Sequence, residues 1–367
     1  MDILTLLETS LEDVQEVVSN PLAMLGPPED PFLGLSLLMP ERLVDENQFT
    51  ETRINYKTIV ANNGTRYSPV QIKGGAFVGS FDVKLESSDI GAQLTAQDYD
   101  AIIKILKRYT GDDIPMQALM NLLKWVDKSL VRPLSVKNER MVWECVVDAE
   151  VQIEGDDGYK DTVKISDPAG HRVASGDWAD PDYDPMDDIY ARADFLKSKG
   201  IRPNRQIAPN PKVQQLLNHP KVKAAARGFI SIDAGALVGS ENRLTLTALN
   251  SFFAENELPP VVKYDKTYNV QAGAARHFLK RDVWVMTGVT DTSEEIPVED
   301  GDPLILEETL GYVGIGTNAG YNNPGKMVKL EPFDGKAPHV DGQSWQESFP
   351  VNQNPEAVTV LTDIPSA

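Results

Sequence analysis

The apolar positions of this chain change period several times, and each change marks an element. Leu4, Leu7, Leu11, Val14 and Val18 recur at helical spacing and predict an amphipathic helix over 2–19. The pattern then dissolves into Pro21, Pro27, Pro28, Pro31 and Pro40, interleaved with Phe32, Leu33, Leu35, Leu37 and Leu38. Proline at this density opposes regular helix or central strand, yet the apolar residues need cover. An extended arm satisfies both demands, and the surface expected beneath it is a partner subunit. From 49 to 85 the chain turns β-like, with a turn signal at Asn62-Asn63-Gly64 between two arms.

The longest regular signal runs from 95 to 153. Pro115 suits a first helical turn, and Met116, Leu119, Met120, Leu123, Val126 and Leu130 follow along one face. Pro133 is expected to interrupt this helix. Met141, Val142, Cys145, Val146 and Ala149 resume the period, and a polar turn at 154–158 separates two short β arms. A long helix running into a hairpin is a mechanical part, so this stretch reads as a spine. Beyond it, Asp184-Pro185 opens a helix over 186–198, with Asp187 and Asp188 favoured in its first turn and Gly200 ending it. Short strands and helices then alternate. Strands are expected at 206–208, 261–264 and 282–286; one helix starts at Asn210-Pro211 with Val213, Leu216 and Leu217, and another covers 245–256 with Leu249, Phe252 and Phe253. A glycine-rich loop is expected at 228–242. The tail from 311 is poor in helix signals until an alternating strand at 356–364, expected to pair into a sheet formed earlier.

A length of 367 residues fits two or three subdomains. The net charge of -20 argues against tight, sequence-independent binding of nucleic acid, which needs a basic surface to displace counterions. An acidic wall would instead let DNA slide past it. Against this background Arg53, Lys57, Arg66, Lys73 and Lys84 make the 49–85 hairpin comparatively basic, which suits docking onto an acidic copy of the same chain. Cys145 is the single cysteine and lies in an apolar helical pattern, so it reads as a small buried hydrophobe. No apolar run is long enough for a membrane span, and the acidic first residues lack the basic start of a signal peptide; a soluble protein made in a cytoplasm is expected.

Chemistry is harder to find. His171, His219, His277 and His339 stand far apart with no metal-ligand spacing. Asp180, Asp182 and Asp184 alternate as in a calcium loop, but Pro181 and Pro185 occupy the flexible positions and the closing glutamate is missing. Gly314, Gly316 and Gly320 form GxGxxxG, and Asn323-Pro324-Gly325 follows where a dinucleotide site needs a helix. No catalytic, cofactor-binding or metal-binding residue is assigned. The residues alone therefore give an acidic α+β protein with arms suited to assembly.

The order of these parts resembles the major capsid protein of tailed bacteriophages, most closely its lambda-type branch. Tyr183-Asp184-Pro185-Met186-Asp187-Asp188-Ile189 resembles the segment that opens the first helix after the spine hairpin in that branch. The helical stretch 211–226, with Lys212, Lys221 and Lys223, and the closing 350–361 are similar to its later elements. The resemblance implies an α+β fold of the Hong Kong ninety-seven type: an N-terminal arm at 1–48, an extended β-loop at 49–92, a peripheral domain with spine helix and hairpin at 93–166, a mainly axial domain at 167–345, and a C-terminal strand at 346–367 returning to the peripheral domain. It implies a structural, non-enzymatic protein that self-assembles as hexamers and pentamers into an icosahedral virion shell around double-stranded DNA held without sequence-specific contacts. A separate scaffold protein, a portal and a cementing protein are the implied partners, with assembly in the host cytoplasm and no membrane. Phe32, Leu35, Arg53, Lys57, Arg66, Lys73 and Lys84 are the expected inter-subunit contacts, and Lys57, Lys73 or Lys84 the donors if the shell cross-links. The alternatives are an encapsulin-like shell and a soluble α+β enzyme built on the 311–325 loop.

Overall fold

Why helix gives way to strand where it does is visible in a computed structural model, which describes residues 31–56, 76–95, 121, 123–154, 160–226, 244–269, 273–290, 309–321, 323–333 and 339–366. In chain order a π turn at Gly34–Leu38 precedes β1 (Glu41–Leu43), β2 (Gln48–Tyr56), β3 (Ala76–Lys84) and β4 (Glu86–Leu94). The long helix follows and ends as α1 (Arg132–Asp148), which leads into β5 (Glu150–Glu154) and β6 (Lys160–Lys164). Then come β7 (Arg172–Ala174), α2 (Pro185–Ser198), β8 (Ile201–Ala208), α3 (Asn210–Asn218), α4 (Pro220–Ala225) and α5 (Leu246–Glu255). The strands β9 (Val261–Lys263), β10 (Thr267–Tyr268), β11 (Arg276–His277) and β12 (Trp284–Thr290) are followed by β13 (Gly311–Ile315), β14 (Met327–Phe333), β15 (His339–Asn352) and β16 (Val358–Thr362). The expected helix over 2–19, the loop tip at 57–75 and the helix start at Pro115 lie outside the described residues.

Pro133 does not interrupt the spine. A proline inside a helix has no N–H and its ring crowds the carbonyl four residues back. Here the preceding turn, Asp127–Val131, is a π turn, and the Arg132 N–H bonds to the Asp127 carbonyl five residues earlier. The wider turn absorbs the irregularity, and α1 runs on unbroken to Asp148. Ala149, at φ 55°, then reverses the chain into the β5–β6 hairpin.

The chain divides into two compact units. In the first, β15 lies at the centre of a five-stranded sheet, flanked by β4 on one side and by β14 and the β13–β1 pair on the other. Leu123, Val126, Leu130 and Val131 of the spine pack on Val328 of β14, with Trp125, Ala92 and Leu330 around them. Gly342 makes this approach possible: a Cβ there would stand 2.7 Å from Leu130 and 2.9 Å from Trp125. The strands β13, β14 and β15 were not expected. On β15 the buried face runs Val340, Gly342, Ser344, Gln346 and Ser348 before a wholly buried stretch at 349–352, so beyond Val340 it carries no apolar alternation to read.

The second unit holds the sheet β7-β16-β12-β8-β9. Its core includes Ile207, Val285, Val360, Leu361 and the edge-to-face pair Trp178–Trp284. The expected strand at 206–208 extends back to Ile201 because the register shifts between Thr287 and Gly288, leaving room for Pro203 at the irregularity. The terminal strand joins a sheet formed earlier in the chain, as expected. β16 pairs with β12 and β7 in the second unit, while β15 is the strand that returns to the sheet of the first. The α5 helix has Thr245 as its N-cap, bonding the Ala248 N–H at 3.2 Å, and Asn256 as its C-cap, matching the expected 245–256.

Candidate assembly site

With no catalytic cluster assigned, the functional question is what the arm and loop attach to. Residues 33–44 dock on their own chain, which corrects the expectation that this part of the arm rests on a partner subunit. The reason is polar. Glu139 of α1, fully buried, places its two carboxylate oxygens on the N–H groups of Gly34 and Leu35, each at 2.9 Å. These are N–H groups of the π turn at 34–38, unsatisfied at its start, and an anion suits them. Gly34 has no room for a side chain, since a Cβ would lie 2.6 Å from Glu139 Oε2. Leu38 and Met39 are then buried, and β1 adds to β13 as a parallel edge strand.

The same seam continues beneath the helix. Lys326 Nζ reaches both Glu41 oxygens, at 2.8 and 2.7 Å, and Ser135 Oγ at 2.9 Å. Asn138 Nδ2 donates to Glu41 at 2.7 Å, while its Oδ1 accepts from Gln346 Nε2 at 2.8 Å and Ser348 Oγ at 2.9 Å. Asn138, Gln346 and Ser348 are all fully buried, so these bonds form in a low-dielectric layer where each unmade one is costly. Nearby, burial lowers the ammonium pKa of Lys137, whose Nζ donates to the Ser87 carbonyl at 3.3 Å; burial likewise raises the carboxyl of Glu347.

The base of the β-loop is tied into this unit as well. Asn47 Nδ2 donates to the Thr317 carbonyl at 2.7 Å, Leu85 N–H to the Asn47 carbonyl at 2.9 Å, and Thr50 Oγ1 to Asp82 at 2.8 Å. Tyr312 donates to Glu51 at 3.0 Å under the Arg42 guanidinium, and burial together with that carboxylate drives its phenol far above the usual range. Gly316 therefore serves close packing, since a Cβ there would lie 2.1 Å from Asn47, and among the described residues the next regular element is β14, a strand.

Among the described residues, Phe32, Leu35 and Lys84 of the expected subunit contacts are not brought together. Phe32 is half-buried under the Arg132 guanidinium, and Leu35 is half-buried in the clasp. Lys84 is exposed beside Glu86, and Arg53 lies on β2. Lys57, Arg66 and Lys73 lie outside the described residues. Glu139, Asn138, Glu41 and Lys326 were missed, although a Glu inside an apolar helical period was the available signal.

Four of the six aspartates of 177–188 hold structural partners through their carboxylates. Asp177, Asp180 and Asp184 accept the backbone N–H two residues on, at 3.0, 2.9 and 3.0 Å. Asp188 accepts three bonds, from Gly176 N–H at 2.9 Å, Trp178 Nε1 at 2.8 Å and Tyr183 OH at 2.7 Å. His171 is buried, its Nδ1 at 2.6 Å from the Val358 carbonyl and its Nε2 without a partner. Burial holds its pKa below the ordinary 6.5. The folded state therefore disfavours the imidazolium, so the stability it contributes is complete above pH 6.5 and drains away as pH falls below it. Urea melts between pH 7.5 and 5 are expected to show this slope, and His171→Gln to flatten it; an unchanged slope in the variant would assign it to other groups.

No family model matches the sequence, and no curated protein does. Solved structures do match. A phage-related protein from Bordetella bronchiseptica RB50 aligns over 95% of this chain and 96% of its own, with TM-score 0.54 and 15% identity. A protein assigned to the capsid of an Escherichia coli CFT073 prophage aligns over 95% and 99%, with TM-score 0.55 and 15% identity. At that identity the likeness is one of fold, and it is the phage capsid fold that the element order resembled.

Proposed function

We propose that this chain is a structural, non-enzymatic shell subunit that self-assembles through hexamers and pentamers into a capsid enclosing double-stranded DNA. The observation that carries the reading is the full-length match of fold to a protein assigned to a prophage capsid. In this reading the first unit corresponds to a peripheral domain with the spine, and the second to an axial domain. The acidic surface supports it, because packed DNA must be confined without adhering. A scaffold protein, a portal and a cementing protein are the partners such a shell would use, and the virion is its place.

Electron microscopy of the purified full chain, alone and with its DNA, tests the proposal. Closed particles tens of nanometres across are expected. A monomer or dimer at every concentration would overturn the reading, and closed particles that enclose protein cargo and show no 260 nm absorbance would replace it with an encapsulin-like compartment.

A further inference from the structure

The strand β14 ends the sheet of the first unit, and among the described residues no strand pairs with its outer edge. Which peptide groups it presents there follows from β15. Gly316 N–H donates to the Glu347 carbonyl, so the odd-numbered positions of β15 turn their peptides toward the side where β13 and β14 lie. In the antiparallel register, Met327, Lys329, Glu331 and Phe333 stand opposite Trp345, Gln343, Asp341 and His339 and exchange bonds with them. The peptides of Val328, Leu330 and Pro332 therefore turn outward. Pro332 agrees with this, since it has no N–H to give and sits where β15 asks for none.

We propose that β14 is the contact surface for β14 of a second copy, the two strands running antiparallel about a two-fold axis at Leu330. The sequence MVKLEPF is self-complementary in that register. Each Leu330 gives and takes one backbone bond, and each Val328 N–H meets the other copy's Pro332 carbonyl. On the exposed face Lys329 comes opposite Glu331 of the second copy, and Met327 opposite its Phe333. Phe333 is 54% exposed, and it would lie against a ready aromatic wall: Trp345 is Met327's cross-strand neighbour, and Tyr321, 45% exposed, stands 6.1 Å from Trp345. A parallel or shifted pairing would set Lys329 against Lys329 or strand both aromatic groups. In a single copy Lys329 pairs with its own Glu331 at 2.5 Å, so docking exchanges partners without stranding a charge.

The proposal deepens the shell reading and is scored apart from it. Full-length Lys329→Cys and Glu331→Cys proteins are purified separately, mixed and mildly oxidised. Those positions face each other between hydrogen-bonded pairs, at a spacing a disulfide spans. Cys145 stays silent because burial pushes its thiol up to about 12. The mixture is expected to give at least fivefold more disulfide dimer than either protein alone, and dimer no greater than from either alone, or than from Lys84→Cys, would overturn the pairing. In a second measurement, Lys329→Glu and Glu331→Lys should each weaken association, and the double exchange restore it; equal loss in all three would count against the register. Particles without the mixed disulfide would sink this contact and leave the shell reading standing, whereas the disulfide without particles would do the reverse.

Discussion

Asp188→Ala is expected to cost the second unit about 3 kcal/mol or more, the loss following from three stranded donors at roughly 1–3 kcal/mol each, less whatever water can reach. Trp178 is 1% exposed, so its indole N–H has little access to solvent once the carboxylate is gone. Gly176 N–H and Tyr183 OH lose the same acceptor. Asp188→Asn should recover part of the loss, because one amide oxygen still accepts. A loss below about 1 kcal/mol for Asp188→Ala in urea melts would mean that relaxation or water replaces the carboxylate. A pH signature accompanies it. Burial and the bond to Asp188 push the Tyr183 phenol up to about 12, so this group's contribution is complete below its ordinary 10 and is lost as pH climbs toward 12. Tyr183→Phe should remove that alkaline decline.

This cluster explains why one short motif was readable. In YDPMDDI, Asp184 caps α2 through the Met186 N–H, Pro185 takes the first helical position, and Met186 and Ile189 enter the core. Asp188 ties the preceding loop to the helix, and Gly176 leaves space for the Tyr183 ring, which a Cβ would approach to 2.1 Å. Local chemistry determines each of these roles, so they appear in the order of residues. The α5 helix and the spine hairpin were legible for the same reason. The sheet of the first unit was not. Its central strand buries Gly342 beneath Leu130 and Trp125, and Gln346 and Ser348 where the helix presents Asn138, and that match is made between segments some two hundred residues apart. A reading based on apolar period finds a strand only where its buried side is apolar. The same blindness led the arm to be assigned to a neighbour: its apolar residues asked for a surface, while the residue that supplies one, Glu139, is a buried charge in a helix.

Glu139→Ala should therefore release residues 34–43 while the rest of the first unit stays folded. The substitution removes both acceptors from the Gly34 and Leu35 N–H groups, and bonds to a charged acceptor contribute about 1.5–3 kcal/mol each. What remains to hold the segment is the buried pair Leu38 and Met39, three residues of parallel strand, the bonds of Glu41 to Lys326 and Asn138, and Arg42 over the Tyr312 ring. An edge strand of that length adds little once its preceding turn is free. Hydrogen exchange should show the amides of 34–39 losing protection by tenfold or more in Glu139→Ala, with those of β4 and β15 unchanged. Gly34→Ala should act in the same direction, because its methyl occupies the place of the carboxylate oxygen. Truncation separates the two halves of the arm. Removing 1–30 keeps every residue of the clasp, whereas removing 1–44 uncovers the edge of β13 and the site of Leu38 and Met39, and should melt several degrees below the shorter truncation. Equal stability of the two truncations would show that the segment contributes nothing to its own unit, and the partner-subunit assignment would then be restored.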